Sequence, residues 1–327
     1  MDNIKIDLVY LWVDGNDPQW LKKKQSYLQQ SDSNFTTEMV SDCRYIENDE
    51  LKYSLRSVEL YAPWINKIYI VTDGQTPSWL DTTSRKVEII DHKQIIPNEV
   101  LPMFNSTAIE MCLANIPGLS EHFLFSNDDM LFAKPTPPEF FFNKDGHPKI
   151  RFKKRTLLYY KYKKNGNYAQ IVYSSILKIR EEFGQTFRVS PHHCVDAYNR
   201  SNYQECLDHY GQWRDKTLKS RFREFGDLHR TIVSLYALVK GKGDLVYVNK
   251  YNNISGLTNK VKAYFSGQYA SDSRGIHISS ADISKIMKKY DPYVFCLNDN
   301  HKATQADRDN AKAYLEARFS NKSCFEK

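Results

Sequence analysis

The stretch IDLVYLWV at residues 6–13 is an apolar run that leads directly into the polar corner Asp14-Gly15-Asn16-Asp17. Short runs of β-branched and aromatic residues are typical of buried strands in a mostly parallel sheet. The same pattern recurs twice, in IYIVT (68–72) before Asp73-Gly74 and in HFLFS (122–126) before Asn127-Asp128-Asp129. The sequence therefore predicts an α/β fold in which each of three strands ends at aspartate.

Segments with helical periodicity separate these runs. Residues 50–61 (ELKYSLRSVELY) space apolar side chains three or four positions apart, as an amphipathic helix does. Residues 105–115 are predicted to form a second helix, which Pro117-Gly118 ends. Ligands of open α/β sheets bind outside the carboxyl ends of the strands. We therefore expect the aspartate corners, including Asp14 and Asp73, to face one crevice.

The second half of the chain differs in composition. Turn-forming sequences, PTPP and DGHP, follow the third predicted strand and indicate a boundary before residue 151. Further along, a basic aromatic segment (151–164), a largely helical region (173–240), a strand (245–248), a loop or lid rich in Asn, Ser and Gly (250–280) and a helix (307–319) are predicted. The predicted parts of one catalytic domain are an α/β part (1–150), a largely helical insertion (151–290) and a C-terminal segment that completes the site (291–327).

Charge and hydropathy narrow the classes of function. The 46 basic and 39 acidic residues of the 327-residue chain give a net charge of +7, which favours an anionic partner. Nucleic acid is disfavoured because no RNP, KH or zinc-finger signature is present. No run approaches the roughly 20 apolar residues that span a bilayer, and the N-terminus does not resemble a signal peptide. These features predict a cytoplasmic protein. Three alternatives are open for its basic segment 151–164: it binds an anionic acceptor, it contacts the inner face of the membrane, or it is an exposed hairpin.

The aspartate corners are the first candidates for chemistry. Adjacent carboxylates at Asp128 and Asp129 repel each other, and a hard cation such as Mg²⁺ or Mn²⁺ would neutralise them while bridging substrate phosphates. A turn or helix cap with solvated carboxylates is the alternative. At Asp14-Gly15, glycine allows close approach of a ligand and the carboxylate can hold a ribose or a base, or the pair forms an ordinary Asx turn. No Gly-rich dinucleotide motif or P-loop is present.

Three later clusters are also candidates. The imidazoles of His192 and His193 could deprotonate a sugar hydroxyl, although such pairs are more often structural. The guanidinium of Arg223, close to Asp227, could neutralise charge on a transferring phosphoryl group, or it lies on a solvated helix face. The cluster Asn298-Asp299-Asn300 follows an apolar run and suits metal or phosphate binding, or a plain turn.

Four stretches, in this order along the chain, resemble the Stealth family of polysaccharide phosphotransferases. That family includes bacterial capsule polymerases and the catalytic subunit of the lysosomal-enzyme N-acetylglucosamine-1-phosphotransferase. The matching stretches are residues 6–20 (IDLVYLWVDGNDPQW), 44–132, 191 to about 227, and 295–327 with CLNDNHKAT and the terminal NKSCFEK. Four ordered blocks that cover most of the chain are far more specific than any one of them.

The resemblance implies a Rossmann-like, glycosyltransferase-A-like core and a Mg²⁺- or Mn²⁺-dependent enzyme of capsular or exopolysaccharide synthesis. Such an enzyme moves a hexose-1-phosphate or N-acetylhexosamine-1-phosphate from a UDP-sugar donor to a glycan or lipid-linked oligosaccharide acceptor. The implied metal ligands are Asp128, Asp129 and Asp299; the implied catalytic residues are His192, Arg223, Asp227 and Asp14. Substrate-binding roles are implied for Asp14, Gly15, Asp73, Arg44, Lys52, Arg56, Asn105, Asn298 and Asn300.

One departure from the family pattern concerns the histidines. Relatives often have His-x-Pro-His, whereas this chain has Val189-Ser190-Pro191-His192, so the division of roles between His192 and His193 stays open. Two other functions also remain open. The same core would suit an ordinary glycosyltransferase that releases UDP, and the basic segment would suit a non-catalytic module that binds anionic glycans.

Overall fold

The computed structural model describes residues 4–29, 45–156, 159, 167–280 and 282–327. Within these residues the chain forms three sheets surrounded by helices. The strands are β1 (Ile6–Leu11), β2 (Ile68–Thr72), β3 (Val87–Asp91), β4 (His122–Asn127), β5 (Met130–Phe132), β6 (Lys149–Lys154), β7 (Val189–Pro191), β8 (Asp196–Asn199), β9 (Asp244–Tyr247), β10 (Ser273–His277) and β11 (Val294–Asn298). The α-helices span Pro18–Gln29, Glu50–Tyr61, His92–Ile95, Ser106–Glu110, Asn167–Phe183, Arg200–His209, Gly211–Lys219, Thr231–Val239, Leu257–Ser266, Ile283–Tyr290 and Gln305–Arg318.

The largest sheet confirms the predicted α/β fold. Its strand order is β3-β2-β1-β4-β8, and all pairs are parallel except β4 with β8. Strand β1 is buried from Ile6 to Tyr10 because the sheet is covered on both faces. Alternate residues serve the two faces, so that Val9 and Phe125 pack in one core while Leu8 and Leu124 pack in the other.

The strand order places a ligand crevice at the edge of this sheet. From β1 the chain proceeds to β2 and β3 on one side and later to β4 on the other, so the direction of winding reverses between β1 and β4. This switch point is where open α/β sheets bind ligands. Leu11 and Asn127, the last residues of β1 and β4, are register partners, which brings the polar corners that follow them side by side.

The C-terminal segment approaches the same edge through a second sheet. Strand β11 pairs antiparallel with β5 and parallel with β10, and Cys296 is the register partner of Met130. The amide of Leu297 also donates to the carbonyl oxygen of Asp129 at 3.0 Å. Residues from the far end of the sequence therefore border the Asp128-Asp129 corner. The third sheet, β7-β6-β9, contains the described part of the basic segment.

The local predictions succeeded unequally. Helix Glu50–Tyr61 and strand β2 have the predicted bounds, because their apolar positions contact the core with regular spacing. The predicted helix at 105–115 is shorter: Asn105 caps the helix Ser106–Glu110, and a 3₁₀ turn at Leu113–Asn115 follows. The predicted loop or lid at 250–280 is wrong in part, since it contains helix Leu257–Ser266 and strand β10. Its polar composition reflects exposure rather than irregular backbone.

No helix in the described part of the chain combines the length and the apolar character needed to cross a bilayer. The described cysteines are free thiols. Much of the basic aromatic segment, residues 157–158 and 160–164, lies outside the described residues.

Candidate active-site cleft

A cleft of about 840 Å³ opens at the carboxyl ends of the parallel strands. The residues that line it include Trp12 after β1, Asp73 after β2, Asp128 and Asp129 after β4, and Asn298 at the end of β11. The aspartates after β2 and β4 thus share one crevice, as the sequence predicted. Asp14 does not line this cleft, although its neighbours Trp12 and Val13 do.

Four carboxylates form a cluster at one side of the cleft, which we call the acidic wall: Glu50, Asp128 and Asp129 line the cleft, and Glu47 lies close to Asp128. The pKa of Asp128 is raised well above its ordinary value by removal from solvent and by the charges of its three companions. Removal from solvent and repulsion from Glu50 raise the pKa of Glu47 to about 8, even though the Trp12 indole donates to its Oε2 at 2.6 Å. The strongest charged neighbours of Asp128 are therefore all acidic.

The acidic wall has oxygen atoms to offer a cation. Asp129 Oδ2 accepts from Cys296 Sγ at 3.0 Å, whereas its Oδ1 is shielded from solvent and has no hydrogen-bond partner among the described residues. The Asn298 side chain lies close enough to the same carboxylate to lower its pKa. In the described ranges, no three His, Cys, Asp or Glu side chains enclose a cation by themselves. The donor set fits Mg²⁺, which keeps waters and takes substrate phosphate oxygens as further ligands.

The three residues Asn298, Asp299 and Asn300 at the end of β11 differ in the contacts that they make. Both carboxylate oxygens of Asp299, a predicted metal ligand, accept from Arg308, at 2.7 Å from Nε and 3.2 Å from Nη2. Asn300 Nδ2 donates to Ser279 Oγ at 3.0 Å. All three residues of the cluster line the cleft, but Asp299 is engaged by an arginine and Asn298 is the member beside Asp129.

A second group of cleft residues, which we call the arginine–histidine wall, consists of His193, Arg223, His229 and Arg230. Arg230 is buried and pairs with two carboxylates, Glu110 at 3.0 Å and Asp196 at 3.1 Å. Its guanidinium also lies 4.7 Å from the Phe125 ring centroid. In contrast to the carboxylates of the acidic wall, the buried charge of Arg230 is matched by oppositely charged side chains.

Arg223 is held at the cleft by a small hydrogen-bonded loop. Its Nη2 donates to Ser106 Oγ at 2.7 Å. The Asn105 amide donates to Asp227 Oδ2 at 2.8 Å and to the Ser220 carbonyl oxygen at 3.0 Å, so the loop that carries Arg223 is tied to the helix cap. Asp227, predicted as catalytic, is buried and does not line the cleft. Its carboxylate accepts the hydrogen bond from Asn105 that holds the loop in place.

The two histidines separate clearly. His192, predicted as catalytic, is buried with Nε2 3.3 Å from the Ser273 carbonyl oxygen, and it does not line the cleft. His193 lines the cleft and is exposed to it. Partial removal from solvent, together with the nearby charges of Lys153 and Arg230, lowers the pKa of His193. Its ring is therefore neutral at pH 7.

The corner after β1 is a tightly built turn. The Asp14 carboxylate accepts from the Asn16 amide at 2.9 Å, and its own main chain exchanges two 3.0 Å hydrogen bonds with the Gln75 side chain. A Cβ atom at Gly15 would lie 1.8 Å from the Tyr45 carbonyl oxygen, so only glycine allows this approach. Asp73 does line the cleft, where Lys23 Nζ lies 2.5 Å from its Oδ2.

Two predicted substrate-binding cations lie elsewhere, and a third falls outside the described residues. Arg56 donates to both oxygens of Glu326, at 2.7 and 2.6 Å, and to the Phe319 carbonyl oxygen, which fastens the C-terminal tail to helix Glu50–Tyr61. Lys52 pairs with Asp49 at 3.1 Å. Neither lines the cleft. Arg44 lies outside the described residues.

Several residues in or next to the cleft could not be predicted from the sequence. Glu47 and Glu50 precede and begin an amphipathic helix, where acidic residues usually serve the helix dipole, so their pattern carried no separate signal. Arg230 and Glu110 are 120 positions apart in the chain and meet only in the folded protein. Aromatic side chains also line the cleft, among them Trp20, Tyr45 and Phe104, with Trp20 and Tyr45 ring centroids 5.1 Å apart.

Comparison with known proteins gives two matches to family models and several similar relatives. Residues 5–32 match Stealth protein CR1, conserved region 1, and residues 44–150 match Stealth protein CR2, conserved region 2. The chain is 51% identical over 145 residues to the capsular polysaccharide phosphotransferase WcwK of Streptococcus pneumoniae, a match that covers 44% of this chain and 43% of that protein. It therefore spans less than half the length of that relative.

A longer match is found to the capsular polysaccharide phosphotransferase fcs1 of Haemophilus influenzae. The identity is 32% over 306 residues, which covers 90% of this chain and 78% of that protein. Among solved structures, the galactosyltransferase LgtC in complex with donor and acceptor sugar analogs superimposes with a TM-score of 0.44 at 10% identity, covering 97% of this chain and 96% of that one.

Proposed function

Since this chain belongs to the Stealth family of polysaccharide phosphotransferases, we propose that it transfers a sugar-1-phosphate from a UDP-sugar to a glycan hydroxyl in capsular or exopolysaccharide synthesis. The observation that carries the proposal is one cleft with two unlike walls. An acidic wall that forms no salt bridge with any cationic residue in the described ranges borders it, and so does a wall of arginine and histidine side chains. Phosphoryl transfer needs both a neutralising cation and fixed groups around the phosphate.

Asp128 and Asp129 are the proposed ligands of Mg²⁺ or Mn²⁺, with the Asn298 side chain beside them. Both carboxylates reach the cleft, and Oδ1 of Asp129 offers an oxygen that accepts no hydrogen bond from the described residues. When bound, the cation would neutralise charge on the donor diphosphate. Asp299 is proposed to act indirectly, by holding Arg308 against the end of β11.

Arg223 is the proposed contact of the transferring phosphate. It lines the cleft, and Ser106 fixes one end of its guanidinium while Asn105 and Asp227 fix the loop behind it. A planar guanidinium held in place can bind two phosphate oxygens at once. Asp227 and Asn105 would then be positioning residues, because they act through Arg223.

His193 is the proposed partner of the acceptor hydroxyl, in place of His192. Its neutral imidazole can accept the hydroxyl proton as the oxygen attacks, and the anionic donor would raise its pKa on binding. The acceptor oxygen forms a bond to the β-phosphorus, the bond between that phosphorus and the bridging oxygen breaks, and UMP leaves. The bond between sugar carbon 1 and its oxygen survives, so the anomeric configuration is retained.

Analysis of the released nucleotide tests the proposal. The protein is incubated with UDP-hexoses and UDP-N-acetylhexosamines, Mg²⁺ and glycan acceptors, and nucleotides are separated by ion-exchange chromatography. UMP together with a phosphodiester-linked product supports sugar-phosphate transfer. Stoichiometric UDP would instead show an ordinary glycosyltransferase, and metal-independent glycan binding without turnover of any donor would indicate a non-catalytic module.

A further inference from the structure

Helix Leu257–Ser266 (LTNKVKAYFS) presents its apolar side chains to solvent. Leu257 is 79% exposed, Val261 46%, Tyr264 64% and Phe265 82%. These positions follow the i, i+4, i+7, i+8 spacing that normally marks the face a helix buries, and they form one stripe about 100° wide. Single exposed apolar residues are ordinary, but a continuous stripe on one helix is typical of a contact surface.

The same helix is attached to the rest of the protein by a narrow opposite side. Ala263 is its one buried residue. Glycine residues with positive φ flank both ends, Gly256 at 77° and Gly267 at 69°. The helix thus projects from the body between two glycine junctions, and its apolar stripe faces away from the side that packs.

The charges around the stripe all have one sign. At about 100° per residue, Lys260 and Lys262 lie on either side of the apolar stripe. Lys250 Nζ lies 5.9 Å from the Tyr264 ring centroid, which adds a third cation near the stripe. The sequence contains no acidic residue between Asp244 and Asp272.

We infer that this helix docks on an anionic phospholipid membrane. An apolar stripe flanked by lysines inserts its side chains between headgroups and acyl chains while the ammonium groups contact anionic lipid headgroups. A second copy of the chain is a poorer occupant, because a symmetric contact through this helix would bring lysines against lysines. The inference concerns binding alone and does not depend on the proposed transfer reaction.

Flotation with unilamellar vesicles tests this docking. The full chain is mixed with vesicles of phosphatidylcholine containing phosphatidylglycerol, or of phosphatidylcholine alone, and the membrane-bound fraction is measured. Binding to the anionic vesicles is expected, and the double variant Leu257→Ser/Phe265→Ser should lower the partition coefficient by about tenfold or more, because each side chain loses its transfer into apolar surroundings. Lys260→Glu/Lys262→Glu should remove the preference for anionic lipid.

Leu60→Ser is the matched control, since Leu60 is 51% exposed on a different helix, and its partitioning should equal that of the wild type. Circular dichroism and thermal midpoints establish that each variant is folded. In Phe265→Trp, brominated lipids should quench the new indole, which locates the helix in the bilayer interface. Absence of wild-type binding, or equal loss in Leu60→Ser, overturns the inference. So does a wild-type dimer in light scattering that Leu257→Ser/Phe265→Ser abolishes, since the occupant would then be a second copy.

Discussion

The acidic wall and the arginine–histidine wall border the same cleft, but they differ in the neighbours of their buried charges. Asp128 has acidic neighbours, whereas Arg230 is paired with carboxylates. Loss of solvent raises the pKa values of Glu47, Asp128 and Asp129, and acidic neighbours raise those of Glu47 and Asp128 further. Arg230 is more deeply buried, but two carboxylates flank it within 3.1 Å. The carboxylates around Asp128 disfavour its charged form in the free protein, whereas the charge of Arg230 is neutralised by Glu110 and Asp196.

This difference indicates what each wall requires from a ligand. Removing a charge from a repelling cluster relieves the folded state, whereas removing one partner of a buried pair leaves the other uncompensated. The acidic wall should therefore be a site where stability has been given up for binding, and the pairs around Arg230 should be part of the scaffold. Substitutions on the two walls then have opposite signs.

The largest expected effect is on catalysis at the acidic wall. Asp129→Asn should lower the rate of sugar-phosphate transfer by about a thousandfold or more, because a catalytic cation contributes several kcal/mol of charge stabilisation. UMP release measured under saturating Mg²⁺ gives the rate. Asp208→Asn is the control, since that carboxylate is 61% exposed and pairs with Arg214. Near-normal turnover by folded Asp129→Asn would remove this residue from the proposed site.

On the opposite wall, Arg230→Met should destabilise the protein by about 3–5 kcal/mol, because Glu110 and Asp196 would be left as buried charges without their partner. Urea unfolding measures the change in free energy. The matched control is Arg214→Met, whose partners Asp208 and Asp215 are 61% and 58% exposed, and its cost should stay below about 1 kcal/mol. Equal costs for the two variants would contradict the division between the walls.

Asp128→Asn should have the reverse sign. Its Oδ1 can still accept from the Asp129 amide, while the repulsion from the other carboxylates is reduced. The free protein should gain about 0.5–2 kcal/mol of stability, as at other functional sites whose strain is relieved. The stabilisation that Mg²⁺ gives the wild type, read as a shift of Tm, should shrink in the variant. A loss of stability without metal would show that the wall is not under repulsion.

The smallest expected effect concerns pH. Burial, with Arg230 and Arg223 nearby, lowers the pKa of His229 well below 6.5, and burial, with Lys153, His193 and Arg274 nearby, lowers that of His192 to about 3. The unfolded chain then binds more protons below pH 6.5, so stability is full above that pH and falls as the solution is acidified. Each histidine should contribute a slope of up to about 1.4 kcal/mol per pH unit.

His229→Asn keeps an acceptor for the Thr231 amide, and His192→Gln keeps a donor for the Ser273 carbonyl oxygen. Unfolding at pH 5.0 and 6.5 compares the slopes. Each variant should lose part of the acid sensitivity, and the double variant more. An unchanged slope in both single variants would mean that these rings have the same pKa in the fold as in the unfolded chain.

Several features could be predicted from local sequence because they depend on short-range periodicity. The apolar runs predicted β1, β2 and β4, and the strand order then brought Asp73, Asp128 and Asp129 to one crevice. The predicted run at 6–13 was two residues too long, since β1 ends at Leu11 before the chain turns at Asp14. Side-chain type alone could not show that the Asp14 carboxylate would be used within that turn.

The sequence by itself determined the family, the mostly parallel sheet and the acidic pair after β4, because all of these lie in contiguous patterns. Only the tertiary structure decided which members of each motif reach the cleft. It turned His193 toward the cleft and His192 into the core, engaged Asp299 with Arg308, and joined Arg230 to Glu110. The physical reason is that burial and charge compensation depend on neighbours distant in sequence, which local pattern does not encode.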